Sequence, residues 1–174
     1  MRIVIKAIVV GVPLRGSGRS LVSLAGLLAL AIAILTSSAP ASAEPNDAEV
    51  RAFFTKFVAA QNAHDLNAVK SMLWNSPDML FFSRGAEARG IEAATDRFKE
   101  YYEGTWHLEP DMSKFRKATI SADVVQILVP IVFTRGLPGT QPQSNTFLIS
   151  QTFVHDTLGW HIASILAVAN TQIK

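Results

Sequence analysis

The hydrophobic period of this chain changes for good at Gly104, and that one change limits the folds open to it. Upstream, Val50, Phe53, Phe54, Phe57, Val58 and Gln61 follow the i, i+3, i+4 spacing of a helix and place three phenylalanines on one stripe. Asn46 or Asp47 supplies the N-cap, and the helix is predicted to end near Asn62-Ala63-His64. Asp65 can cap a short second helix that turns Leu66, Val69, Met72 and Leu73 inward. After the turn Asn75-Ser76-Pro77-Asp78 come a short strand, Met79 to Phe82, and a loop with at most a second short strand, ending at Arg89-Gly90. A third helix runs from about Ile91 to Tyr102 and is stopped by Gly104. Everything downstream reads as strand: 105–109, 115–120, 124–134, 145–155 and 160–168. Pro130 lacks an N–H for a ladder, so a bulge or an exposed edge is expected there. Helices first and strands afterwards mean an α+β fold, with three helices packed on one face of a curved antiparallel sheet.

Residues 1–43 read as a secretory leader. Arg2, Lys6, Arg15 and Arg19 precede an apolar run from Leu21 to Leu35, and Ala41-Ser42-Ala43 fits the small-residue requirement of a signal peptidase. Cleavage is expected after Ala43, giving an exported domain of residues 44–174. The run spans only about 23 Å as a helix, short of an apolar bilayer core of about 30 Å. A retained anchor is the alternative; after cleavage no membrane partner is expected.

Removing the leader also changes the charge. The whole chain carries a formal +2, but the four leader cations leave 12 basic against 14 acidic residues behind, which speaks against a nucleic-acid partner. The chain has no cysteine, so disulfides, thiolate metal sites and thiol nucleophiles are excluded. No H-E-x-x-H, Gly-rich phosphate loop, G-x-S-x-G elbow or Ser-His-Asp grouping occurs, and no metal or cofactor is implied. Of four histidines, His64 sits at a helix break and is expected in solvent. His155 belongs to a hairpin turn, and His161 to the outer side of the last strand. His107, close in sequence to Glu109 and Asp111, makes that trio the first candidate for acid–base catalysis. Arg84 and Arg89 flank a loop and are candidates for meeting an anionic ligand.

Three stretches, in this order, resemble the nuclear-transport-factor-2-like superfamily in its SnoaL-like and ketosteroid-isomerase-like branch. They are Phe57-Val-Ala-Ala-Gln-Asn-Ala-His-Asp-Leu-Asn-Ala-Val69, Arg89-Gly90-Ile91-Glu92-Ala93-Ala94 and Phe153-Val-His-Asp-Thr-Leu-Gly-Trp-His-Ile162. The resemblance covers nearly all of residues 48–169 and implies a cone-shaped sheet wrapped around the helices and a pocket. It is not specific for function, because this fold hosts enzymes, binding modules and docking domains. Ketosteroid isomerase uses a carboxylate base and two proton-donating acids. Carried over by resemblance, its tyrosine donor falls on Phe57, its base on Phe81, its protonated acid near Ser150 and a second pocket tyrosine on Phe98. A phenyl ring neither takes nor gives a proton, so that mechanism is excluded.

What the resemblance leaves is an aromatic cup, which we expect to be lined by Phe57, Trp74, Phe81, Phe98, Tyr102 and Trp106. With Ser150 inward, strand alternation also turns Leu148, Thr152 and Val154 inward. Trp160, Ile162, Ser164 and Leu166 would follow on the last strand. Ser150, Thr152 and Ser164 are then the polar handles of the cup. Phe147, Ile149, Phe153 and Ile165 would face outward, an apolar surface that a second copy of the chain would cover as a homodimer. Three readings stand: a binder of a small apolar molecule, a cofactor-independent lyase or isomerase, and an association module with a filled core.

Overall fold

The computed structural model describes residues 45–169; the expected leader and its cleavage site lie outside them. Helix α1 (Asp47–Asn62) starts at Asn46, whose side-chain oxygen accepts from the Ala48 N–H. Its end is a Schellman motif: the Asp65 N–H donates to the Ala60 carbonyl and the His64 N–H to that of Gln61. His64 takes the left-handed position usual for glycine, at φ 53°. Asp65 then caps α2 (Leu66–Met72).

Strands β1 (Leu80–Ser83) and β2 (Ala86–Arg89) form a hairpin before α3 (Gly90–Tyr102). Its tip, Arg84-Gly85, has φ values of 57° and 79°, positive at both central residues as in a type I′ turn. Strand β3 (Thr105–Pro110) follows, then one 3₁₀ turn (Met112–Lys114), β4 (Arg116–Ser121), β5 (Val124–Gly136), β6 (Gln143–Asp156) and β7 (Gly159–Ala169). The helices and later strands thus fall within a few residues of the sequence expectation, and the second short strand is present.

The seven strands form one curved, unclosed sheet in the order β2-β1-β7-β6-β5-β3, with β4 also pairing with β5. One expectation is corrected here: the sheet is mixed. β1 runs parallel to β7, with Leu80 opposite Ser164 and Ser83 opposite Ala167. No hairpin joins these two strands; α3 and five strands lie between them in sequence, so nothing imposes the antiparallel sense.

Pro130 makes neither a bulge nor an edge. β3 ends opposite Ile131 and β4 begins opposite Leu128, so the ladder has a gap beside Pro130. Its carbonyl faces that gap and accepts from the Asp111 N–H at 2.9 Å. The absent proline N–H therefore breaks no ladder bond.

The inner face of the sheet packs on the helices. Val50, Phe54 and Phe57 of α1 and Ala94 and Phe98 of α3 are buried against Val125, Ile127, Val129 and Phe153. The free edge of β3 is closed by α1. Asn62 donates to the Leu108 carbonyl (2.9 Å) and accepts from its N–H (2.8 Å), while His64 Nε2 lies 3.0 Å from the Trp106 carbonyl. These side chains occupy the pairing positions a further strand would take.

Candidate functional site

Alternation on β5 and β6 decides what faces the cup. Directly opposite pairs share a face, so Val129 with Ile149, Ile127 with Gln151 and Val125 with Phe153 all point to the helices. Of these, Ile149 and Gln151 line, with Phe57 and Phe98 of the helices and Phe81 of β1, an internal cavity of about 30 Å³. The Phe98 ring centroid is 6.0 Å from Phe57 and 5.1 Å from Phe81. A water takes up roughly 10–15 Å³ by such a measure, and a ligand pocket at least about 300 Å³. The cavity therefore holds a water or two and no more.

Its polar lining consists of Gln61, Ser83 and Gln151, with Trp106 among its aromatic walls. Gln61 and Gln151 are buried, and Gln151 Oε1 and Trp106 Nε1 have no hydrogen-bond partner. Such an orphan costs about 1–3 kcal/mol unless something completes it. None of these groups titrates near neutral pH. The interior can offer hydrogen bonds but no general acid or base.

At the wide end of the cone the same inward register continues past Phe133 to Arg135, which stands opposite Trp106 on β3. There a half-open cleft of about 320 Å³ lies between the β1–β2 tip, the end of α3 and the β5–β6 loop. Tyr101 stacks on Trp106 at 4.5 Å and 8°, and both line the cleft. Trp106 also lines the internal cavity, so this pair separates the two spaces. The Arg135 guanidinium lies 5.4 Å from the Phe147 ring. Burial, and then the charge of Arg84, hold its pKa below the ordinary value, partly offset by Tyr101. Gly104 is required here by close approach, because a Cβ would overlap the Gly136 carbonyl oxygen.

The profile of the SnoaL-like domain matches residues 50–167, well over half of the sequence. The chain belongs to the SnoaL-like domain family. None of the curated proteins matches it at a significant level. Solved structures match over most of their length. A nuclear transport factor 2-like superfamily protein from Salmonella enterica has a TM-score of 0.66 at 16% identity, covering 73% of this chain and 92% of that one. A ketosteroid isomerase-like protein from Erwinia carotovora has 0.59 at 16%, covering 72% and 96%. The hexachlorocyclohexane dehydrochlorinase LinA-type3 from Novosphingobium barchaimii has 0.61 at 15%, covering 71% and 86%. At these identities the likeness establishes the fold.

Within this SnoaL-like domain the sequence-predicted residues divide. Phe57, Phe81, Phe98 and Trp106 come together around the internal cavity. Trp74 and Tyr102 pack partly buried against the core without lining it. Tyr102 stacks on His64 at 4.7 Å and 5°, while His64 itself stays exposed, as expected. Burial, then the charge of Asp65, push the Tyr102 phenol pKa up, and its hydroxyl has no partner.

Ser150 and Ser164 are corrections. Both lie on the outer face, where Gln126 Nε2 donates to Ser150 Oγ (2.9 Å) and Ser164 Oγ donates to Thr152 (2.9 Å). Leu148, Val154 and Leu166 share that face, while Phe147, Ile149, Phe153 and Ile165 turn inward. Two causes combine. Starting from Ser150 put β6 one residue out of phase, although burying Phe147, Ile149 and Phe153 removes more apolar area from water. A bulge then places Thr152 opposite Ser164 but Phe153 opposite Ile162, leaving Ala163 extra and reversing the faces of the rest of β7.

The histidine trio does not reach either cavity. His107 Nε2 is 3.3 Å from Glu109 Oε1, with both side chains largely exposed on β3. Asp111 caps the 3₁₀ turn and pairs with Lys114 at 2.9 Å. Hydrogen bonds from Ser113 and Lys114 lower its pKa. Arg89 pairs with Glu87 on the exposed hairpin. Gln151, Gln61 as a cavity group, and Arg135 were not singled out from sequence. The usable signal was the odd-numbered series Ile127, Val129, Ile131, Phe133, which ends in Arg135.

Proposed function

We propose that this SnoaL-like domain is an exported module that binds a small, largely apolar molecule at the mouth of its aromatic cup, without the acid–base residues of ketosteroid isomerase. The observation that carries the reading is the contrast between the two spaces. The narrow one is lined by phenylalanines, aliphatic side chains, amides and Ser83, with no titratable side chain to move a proton. The open one is ten times larger and has an aromatic floor, Tyr101 on Trp106, against which an apolar body can pack. Among the described residues no helix is long and apolar enough to cross a membrane, and export rests on the leader.

A second copy of the chain is the partner proposed for the outer sheet face. There Leu128, Pro130, Leu148, Leu166 and Val168 form a contiguous apolar patch across β5, β6 and β7, and Val168 is 56% exposed.

Expression of the full chain in an exporting host, followed by native mass spectrometry, tests these statements separately. The expected product begins at Glu44, has the mass of a dimer and carries a small apolar compound that is lost on denaturation. An uncleaved chain would sink export, and a monomer would sink the dimer. A protein that neither co-purifies with nor takes up any compound from an extract would overturn the binding function.

A further inference from the structure

The mouth cleft holds charge that an apolar ligand would leave unused. Arg84 and Arg135 both line it, and among the described residues neither forms an ion pair. The only carboxylate on its walls is Glu100, whose neighbour at 4.0 Å is Arg97 on the same helix. Two cations that feel each other, one of them half-buried on the inward face of β5, are an unfavourable arrangement without an anion between them.

Arg84 adds an independent sign. It occupies the first central position of the type I′ turn, at φ 57°, where asparagine, aspartate or glycine is preferred and a long side chain is strained. The turn itself gains nothing from an arginine. What the residue does there is hold a guanidinium at the rim of the cleft.

We infer that the cleft binds a small-molecule carboxylate with a flat apolar or aromatic body, its carboxylate held between Arg84 and Arg135 and its body packed on the Tyr101–Trp106 pair. The inference rests on the small-molecule reading above and names the chemical class of the ligand. A monoanion suits the walls, since two arginines and one glutamate leave a single positive charge to balance. Guanidinium groups match a planar carboxylate through paired N–H donors. Thr140 and Gln143, also on the wall, can hydrogen-bond further polar groups.

The test is calorimetric titration of the purified protein with 2-naphthoate, with its neutral counterpart 2-naphthylmethanol, and with inorganic phosphate. Naphthoate is expected to bind at least tenfold more tightly than the alcohol and to weaken as salt is raised. Arg135→Gln should remove that advantage and leave the alcohol unaffected. Arg84→Asn should do the same while raising Tm, so loss of folding cannot explain it. Arg89→Gln, which alters a guanidinium already paired with Glu87, should change nothing. Equal binding of naphthoate and alcohol, unmoved by Arg135→Gln, would overturn the carboxylate and leave the binding module standing. Phosphate binding as tightly as naphthoate would show that the site reads charge alone and would overturn the inference too. Binding of neither aromatic compound, with nothing co-purified, would remove both readings.

Discussion

The inside of the cone and its mouth are built from the same strands but obey opposite rules. Inside, Phe57, Phe81 and Phe98 pack to a residual 30 Å³, and the awkward groups are the Gln151 amide oxygen and the Trp106 indole N–H, both without a partner. At the mouth, one residue pair further along β5 and β3, the walls open to about 320 Å³ and expose two like charges and a strained turn. The interior is arranged for stability; the mouth forgoes stability, which is the usual mark of a binding surface. Substitutions inside should therefore change folding, and substitutions at the mouth should change binding with little effect on folding.

The largest effect is expected for Phe98→Ala. Phe98 is 1% exposed and touches three other rings, Phe57, Phe81 and Tyr102. Its truncation should destabilise by about 3–5 kcal/mol in denaturant unfolding. Arg135→Gln in the same assay should stay within about 0.5 kcal/mol of the wild type. Similar losses for both would erase the distinction between core and mouth.

Gln151→Leu sharpens the description of the interior itself. If Gln151 Oε1 is dry and unpartnered, replacing the amide with an apolar group of similar size should stabilise the protein by about 1 kcal/mol. A loss of that size or more would mean that an ordered water completes the amide, and that the cavity is a hydrated polar pocket rather than a leftover of packing.

Most of the fold was legible because it rests on local signals: the phenylalanine stripe of α1, the caps at Asn46 and Asp65, and the strand runs after Gly104. The parallel β1–β7 pair was not, since no local rule records which distant strand a short one will join. The faces of β6 and β7 failed for a more instructive reason. A position carried over by resemblance outweighed the residues' own hydropathy, and Phe147, Ile149 and Phe153 were sent to the surface in favour of Ser150. A bulge at Ala163, which inserts one residue without a sequence marker, then spoiled the second half of β7. Arg84 was visible as a charge beside a loop. That it shares a cleft with Arg135, some fifty positions later in a hairpin arm, follows only from the β3–β5 register and the docking of α3.

The smallest effect tests the edge of the packed core, where Tyr102 stacks on His64. Its phenol pKa is raised chiefly by burial and then by Asp65, so the folded state holds the proton more tightly than the unfolded chain does. The stability this contributes is complete below the unfolded pKa of about 10. Above about pH 10 the unfolded phenol ionises while the buried one resists, and stability falls as pH rises. At neutral pH Tyr102→Phe should change stability by less than about 1 kcal/mol, because the hydroxyl it removes has no partner. Between pH 9 and about 11.5 the variant should lose less Tm than the wild type. Identical alkaline losses in thermal melts would mean that the hydroxyl reaches water, and that the packed core ends short of the His64–Tyr102 stack.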